Sequence, residues 1–288
     1  MARQPGRLIA SRIAAAGLAA SCAAPSAARA EPHHHLNYVA IGDSVAAAPG
    51  VPDPAQPLGC GKSSNNYPSM LARRISPTSF TDVTCSGATT EDITSRSQHT
   101  PAGVVPPQID AVSARTDLIT ITIGGNDAGL ASEAAPCRAA SPDARPCADR
   151  FLSGDVDRVS AIITAKVAVW AAMIDALRAR APRARIILVG YGTFFPRGGC
   201  FPEQPVLPSD ADYFQSKADE LDDRQRQLAA EKGIDYFDTR PLSTGHDMCA
   251  APSDRYVEGF AARPPAEPLH PNALGTAAVG NALADYIG

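Results

Sequence analysis

The sequence predicts a three-layer α/β/α protein built around a five-stranded parallel sheet, on three observations. Short apolar runs rich in β-branched residues alternate with longer segments whose apolar residues recur at helical spacing, the pattern of a parallel sheet covered on both faces. The runs close on glycine or other turn residues, as strands feeding surface loops do. No internal repeat and no linker-like stretch divides the 288 residues, so one domain is expected over 36–288.

Residues 1–30 stand apart from that domain. Arg3, Arg7 and Arg12 make a positive start, an apolar stretch runs from Ile13 to Ala24, and Ala28-Arg29-Ala30 offers an A-x-A cleavage pattern. This reads as a signal peptide, and its removal leaves 22 basic against 30 acidic residues, a net charge of −8. The alternative is lipid attachment at Cys22 after Leu18-Ala19-Ala20-Ser21, although Ala19 stands where a lipoprotein box has leucine. The stretch is short for a membrane span, and no other segment is expected to cross a bilayer. Residues 31–35, with His33-His34-His35, read as a flexible tail binding metal only incidentally.

Within the domain, Tyr38–Gly42 is the first strand, Asn66–Ile75 a short helix and Phe80–Cys85 the second strand. Asp117–Ile123 (DLITITI) is the best strand, since β-branched residues fit a pleated surface. From Val156 to Arg180, Val159, Ile162, Ile163, Val167, Trp170, Ile174 and Leu177 mark one helix, ended before Pro182. Arg185–Gly190 is the fourth strand, Asp210–Lys232 a polar amphipathic helix and Ile234–Phe237 the fifth strand. Pro271 is expected in the first turn of a last helix reaching about Ile287.

Composition narrows function. With 44% hydrophobic residues the chain is not disordered, and a net charge of −4 argues against a basic nucleic-acid surface. Beyond Cys22 there are six cysteines: Cys60, Cys85, Cys137, Cys147, Cys200 and Cys249. An even number in an exported chain implies disulfides. Sequential pairing, 60–85, 137–147 and 200–249, is favoured among the possibilities because each loop then closes locally. No C-x-x-C spacing supports zinc, and no metal or other cofactor is implied.

In a parallel sheet, ligands bind beyond the carboxyl ends of the strands. There the sequence places Gly42-Asp43-Ser44, then Cys85-Ser86-Gly87-Ala88, then Gly124-Gly125-Asn126-Asp127, with Pro268-Leu269-His270-Pro271-Asn272 near the C-terminus. These blocks, in this order and spacing, resemble the SGNH (GDSL) hydrolases, in particular the secreted lipases and esterases of actinobacteria. The resemblance implies a flavodoxin-like fold, Ser44 as nucleophile and His270 as its base. It also implies an oxyanion hole from the N–H groups of Ser44 and Gly87 and the side-chain amide of Asn126. The residue types suit that chemistry, because a serine needs a base to lose its proton and a tetrahedral intermediate needs fixed donors.

One position departs from the family pattern. Glu267 stands three residues before the histidine where Asp is usual. Either its carboxylate serves, or its backbone carbonyl accepts the His270 Nδ1–H as in dyad members; the carbonyl is favoured. Asp43 is expected to bond local backbone N–H groups, and Asp127 to cap the helix that follows it while Asn126 turns inward. His99 and His246 read as surface residues. Gly61-Lys62-Ser63 mimics a P-loop ending, but Gln56 occupies the required first glycine. G-x-S-x-G and H-E-x-x-H are absent.

The expected substrate is a lipid or other carboxylic ester with a short to medium acyl chain, hydrolysed by a monomer. The excursions Ala46–Pro68 and Thr193–Pro208 are expected to border the acyl pocket, with Phe194, Phe195 and Phe201 as apolar lining. A carbohydrate O-acetyl esterase is the rival enzyme, disfavoured by one Trp and seven Tyr. A non-catalytic binding protein is disfavoured by the intact Ser44, Gly87, Asn126 and His270.

Overall fold

The computed structural model describes residues 1–2, 36–260 and 265–288. The leader, Cys22 and the histidine tail expected at 31–35 lie outside the described residues. From residue 36 the chain runs β1 (Asn37–Gly42), α1 (Ser44–Ala47), α2 (Tyr67–Ile75), β2 (Ser79–Asp82), α3 (Thr90–Thr94) and a small hairpin of β3 (Gln98–Thr100) and β4 (Gly103–Val105). Then come β5 (Leu118–Thr122), α4 (Leu130–Ala134), a second hairpin of β6 (Leu152–Ser153) and β7 (Val156–Asp157), and α5 (Arg158–Arg180). The remainder is β8 (Arg185–Val189), α6 (Pro208–Lys232), β9 (Asp235–Phe237), α7 (Arg240–Ser243) and α8 (Ala273–Ile287).

Five strands form one parallel sheet in the order β2-β1-β5-β8-β9. The expected five-stranded parallel sheet is therefore the one observed, and its order is the flavodoxin-like one. That order reverses at β1, which has β2 on one side and β5 on the other. The crevice beyond the ends of β1 and β5 is thus the topological switch point, where such sheets bind ligands.

Strand alternation sorts the core into two layers. Val39, Ile41, Ile119 and Ile121 face one way, joining Trp170 and Leu177 of α5 and Leu221 of α6. Tyr38, Ala40 and Leu118 face the other way, joining Tyr67 and Leu71 of α2 and Leu283 of α8. All of β5 is buried although it carries two threonines. Their hydroxyls are matched by Tyr38 Oη on Thr120 Oγ1 at 2.7 Å and Tyr67 Oη on Thr122 Oγ1 at 3.0 Å, which avoids unpaired polar atoms in the core.

The three disulfides are Cys60–Cys85, Cys137–Cys147 and Cys200–Cys249, the sequential pairing. Lys62 of the P-loop-like stretch is buried, donating to the Asp82 carbonyl and lying 3.7 Å from its carboxylate, so it serves the core.

Two expectations need correction. Helix α8 begins at Ala273 and not at Pro271: the Asn272 side chain accepts from the N–H groups of Leu274 and Gly275, both at 3.0 Å, so Asn272 is the cap and Pro271 precedes it. Helix α5 is long and apolar enough to cross a membrane by length and composition, contrary to the expectation that no such segment follows the leader. It buries Val159, Ile163, Trp170, Met173, Ile174 and Leu177, the packing of a core helix.

Candidate active site

Strand β1 ends at Gly42, where a Cβ would fall 2.6 Å from the Thr122 carbonyl oxygen of β5. Glycine there lets the two strands close up before the chain turns. The buried Gln108 amide pairs with both backbone groups of Gly42, accepting from its N–H at 2.7 Å and donating to its C=O at 2.9 Å. Asp43 then accepts from Val45 N–H at 2.9 Å, capping α1, so Ser44 sits in the first turn of a short helix. This is the local bonding expected of Asp43. Its second carboxylate oxygen accepts from the Tyr191 phenol. Burial pushes the Asp43 carboxyl up to about 7 against these hydrogen bonds, and the charge of Asp127 adds to the rise.

The second block follows β2. Gly87 has φ +80°, a conformation costly for other residues. Gln98 of the β3–β4 hairpin donates to the Ser86 carbonyl at 2.7 Å. In a trans peptide, N–H and C=O point opposite ways, so the Gly87 N–H faces away from Gln98. Among the described residues, neither that N–H nor the N–H of Ser44 has an acceptor. The third block follows β5. Asn126 Nδ2 donates to the Ala88 carbonyl at 2.9 Å, which fixes the amide and leaves its second hydrogen available.

Asp127 was expected to cap its own helix, and it does not: the residue at that position of α4 is Gly129. Its carboxylate instead reaches across to Thr90, accepting from Oγ1 at 2.5 Å and from N–H at 3.2 Å, and receives the Trp170 indole at 3.3 Å. Asp127 thereby ties the third block to the helix after the second.

His270 is half-buried, and its Nδ1 lies 2.7 Å from the Pro268 carbonyl oxygen. The acceptor is thus neither the carboxylate nor the carbonyl of Glu267, the two expected alternatives. Leu269, between them, is held at φ +62°, and this left-handed turn brings the carbonyl of residue 268 back to the ring of residue 270. Leu269 N–H donates to Glu258 C=O, and Glu258 N–H donates to His270 C=O, both at 2.9 Å, so the turn is fastened at its rear. Glu267 is exposed, and its N–H donates to the Pro49 carbonyl at 3.1 Å. Burial lowers the His270 pKa below its usual value, opposed by the Pro268 hydrogen bond and the Glu267 charge. With Nδ1 donating, Nε2 is the basic nitrogen.

Ser44, Asn126 and His270 line one apolar cleft of about 610 Å³, counting its open mouth. Gly87 is not among its lining residues, although Asn126 reaches the neighbouring Ala88. Among the described residues Ser44 Oγ takes no hydrogen-bond partner, His270 included; such pairs commonly tighten only in the substrate complex. Phe194 and Phe195 line the cleft as expected, whereas Phe201 does not. The Ala46–Pro68 excursion contributes nothing to it. Leu130, Ala131 and Ala134 of α4 and Phe214 and Ala218 of α6 complete the wall instead.

This fold and cleft define an α/β protein of the SGNH hydrolase class. Residues 40–278 match the GDSL-like Lipase/Acylhydrolase family, and the chain belongs to that family as a carboxylic ester hydrolase of the lipase/esterase type. It is 37% identical to Lipase 2 of Streptomyces coelicolor over 298 residues, covering 98% of this chain and 97% of that protein. The solved phospholipase A1 of Streptomyces albidoflavus superposes with a TM-score of 0.72 at 26% identity, covering 88% of this chain and 99% of that one. The extracellular lipase of Streptomyces rimosus gives 0.71 at 27%, covering 86% and 99%.

Proposed function

We propose that the protein is an exported lipid esterase acting through an acyl-enzyme at Ser44, with His270 as the base. The observation that carries this is the cleft itself: a hydroxyl free of other partners, an imidazole whose Nδ1 is committed to Pro268, and a held amide share one apolar wall. Neutral His270 Nε2 takes the Ser44 proton as Oγ attacks the ester carbonyl, and then delivers it to the leaving alcohol. The N–H groups of Ser44 and Gly87 and the second Asn126 hydrogen receive the negative oxygen. Water repeats the sequence on the acyl-enzyme and releases the acid.

The lining of Val45, Leu130, Ala131, Ala134, Phe194, Phe214 and Leu269 suits a hydrocarbon acyl chain of short to medium length. Relatives that are lipases and a phospholipase A1 support lipid esters as the class. Residues 1–30 serve export, supported by three disulfides and by the likeness to an extracellular lipase. The test is a p-nitrophenyl ester series from acetate to palmitate with Ser44→Ala alongside. Hydrolysis that peaks at short to medium chains and is abolished by the substitution is expected. Full activity of Ser44→Ala would overturn the reading.

A further inference from the structure

Tyr191 directly follows β8 and Gly190, and its phenol stands between two of the site's segments. Gly125 N–H donates to Tyr191 Oη at 2.8 Å. Since that oxygen already accepts a hydrogen bond from the backbone, its own O–H donates to its other neighbour, Asp43 Oδ2. The direction of both bonds is therefore fixed. One end of the chain N–H···Oη–H···Oδ2 is the residue before Asn126, and the other is the residue before Ser44. Burial and the Asp43 charge hold the phenol pKa well above its usual value, so the proton stays on Tyr191.

The phenol is itself anchored. The N–H groups of Tyr191 and Gly192 donate to the two oxygens of the buried Asp222 carboxylate on α6, at 3.0 and 3.2 Å. A Cβ on Gly125 would lie 3.1 Å from the Tyr191 ring, so glycine allows the backbone to approach the phenol this closely. Tyr191 also lines the cleft. A backbone bond from Asp43 N–H to Thr122 C=O at 2.9 Å joins the β1–α1 turn to the end of β5, and the phenol ties the two turns again further out, at Asp43 Oδ2 and Gly125 N–H.

We propose that Tyr191 is a positioning residue for ester hydrolysis: its phenol holds the Ser44 turn and the Asn126 turn in register, so that nucleophile and oxyanion donor meet one carbonyl. This rests on the reading of Ser44 and Asn126 given above. The register matters more to the transition state than to binding, because the oxyanion donors must match an oxygen that carries charge only during reaction.

The test compares wild type, Tyr191→Phe, Asp43→Asn and the double variant on p-nitrophenyl butyrate, with active sites counted by burst titration so that only folded enzyme is scored. Asp43→Asn keeps Oδ1 for the Val45 cap and removes the acceptor facing the phenol. Each single variant is expected to lose about tenfold to hundredfold in kcat, the range of a lost hydrogen bond to a carboxylate, with KM changed by less than about threefold. The two losses should not multiply, the double variant falling within about twofold of the weaker single. Retention of wild-type kcat in Tyr191→Phe would overturn the proposal, as would a loss confined to KM or independent, multiplying losses. Wild-type protein inert on every ester would instead overturn the hydrolase site on which it rests.

Discussion

Replacing Glu267 by Gln separates two ways of orienting His270. Where a carboxylate holds the imidazole and stabilises its charged form, neutralising it costs about 10⁴ in kcat. Here Nδ1 is 2.7 Å from the Pro268 carbonyl, and among the described residues the exposed Glu267 carboxylate has no hydrogen-bond partner. It acts on His270 only through its charge, which at an exposed position is worth at most about 1 kcal/mol, or about fivefold in rate. The pH dependence has a definite sign. The Glu267 charge raises the His270 pKa, against the lowering by burial; its removal lowers that pKa, so the base stays neutral to lower pH. Steady-state hydrolysis of p-nitrophenyl butyrate between pH 5 and 9 is the assay. The expected result is a plateau kcat within about fivefold of wild type and an acid limb of kcat/KM displaced to lower pH. A loss of about a thousandfold or more on the plateau, or an acid limb moving upward, would refute the carbonyl account.

Three further predictions follow from the same geometry. Asn126→Ala removes one of the three proposed oxyanion donors and should lower kcat by about 10²- to 10³-fold with little change in KM, measured on the same ester. Ala218→Phe fills part of the cleft wall and denies two or three methylenes their contacts at about 0.8 kcal/mol each, so rates on long esters should fall about 15- to 60-fold relative to acetate; an unchanged chain-length profile would show that the acyl chain lies elsewhere. Burial pushes Asp222 from 3.8 up to about 7, so the folded chain holds that proton more tightly than the unfolded one. Its contribution to stability is present at low pH and declines as pH rises from about 4 to about 7. Urea midpoints of wild type should fall over that range relative to the non-titrating Asp222→Asn, and a constant difference would contradict this.

The three central strands were legible because β1, β5 and β8 are buried apolar runs rich in β-branched residues that reach a glycine at or just beyond their ends, and burial on both faces leaves such runs nearly uninterrupted. The site's blocks were legible for a related reason: a parallel sheet brings the carboxyl ends of its strands together, so Ser44, Gly87 and Asn126 fall at one edge by topology. What escaped has no periodic or local signature. The hairpins at 98–105 and 152–157 are too short for alternation to register. Phe214 and Ala218 sit within a helix dominated by charge, where the cleft-facing side chains are four residues apart and easily missed. The Pro268 acceptor depends on Leu269 adopting a left-handed turn, which leucine rarely does. Tyr191 acts on Asp43 across 148 positions of sequence. Only the fold puts them together.

The proposed nucleophile, Ser44, is tested most directly by peptide-mapping mass spectrometry after reaction with a p-nitrophenyl alkylphosphonate, which traps an activated serine. The account predicts one phosphonyl group per chain, carried on the peptide containing Ser44, with ester hydrolysis lost in proportion and no labelling of His270→Ala at a comparable rate. Labelling at another residue, or hydrolysis that persists once Ser44 is fully modified, would contradict it.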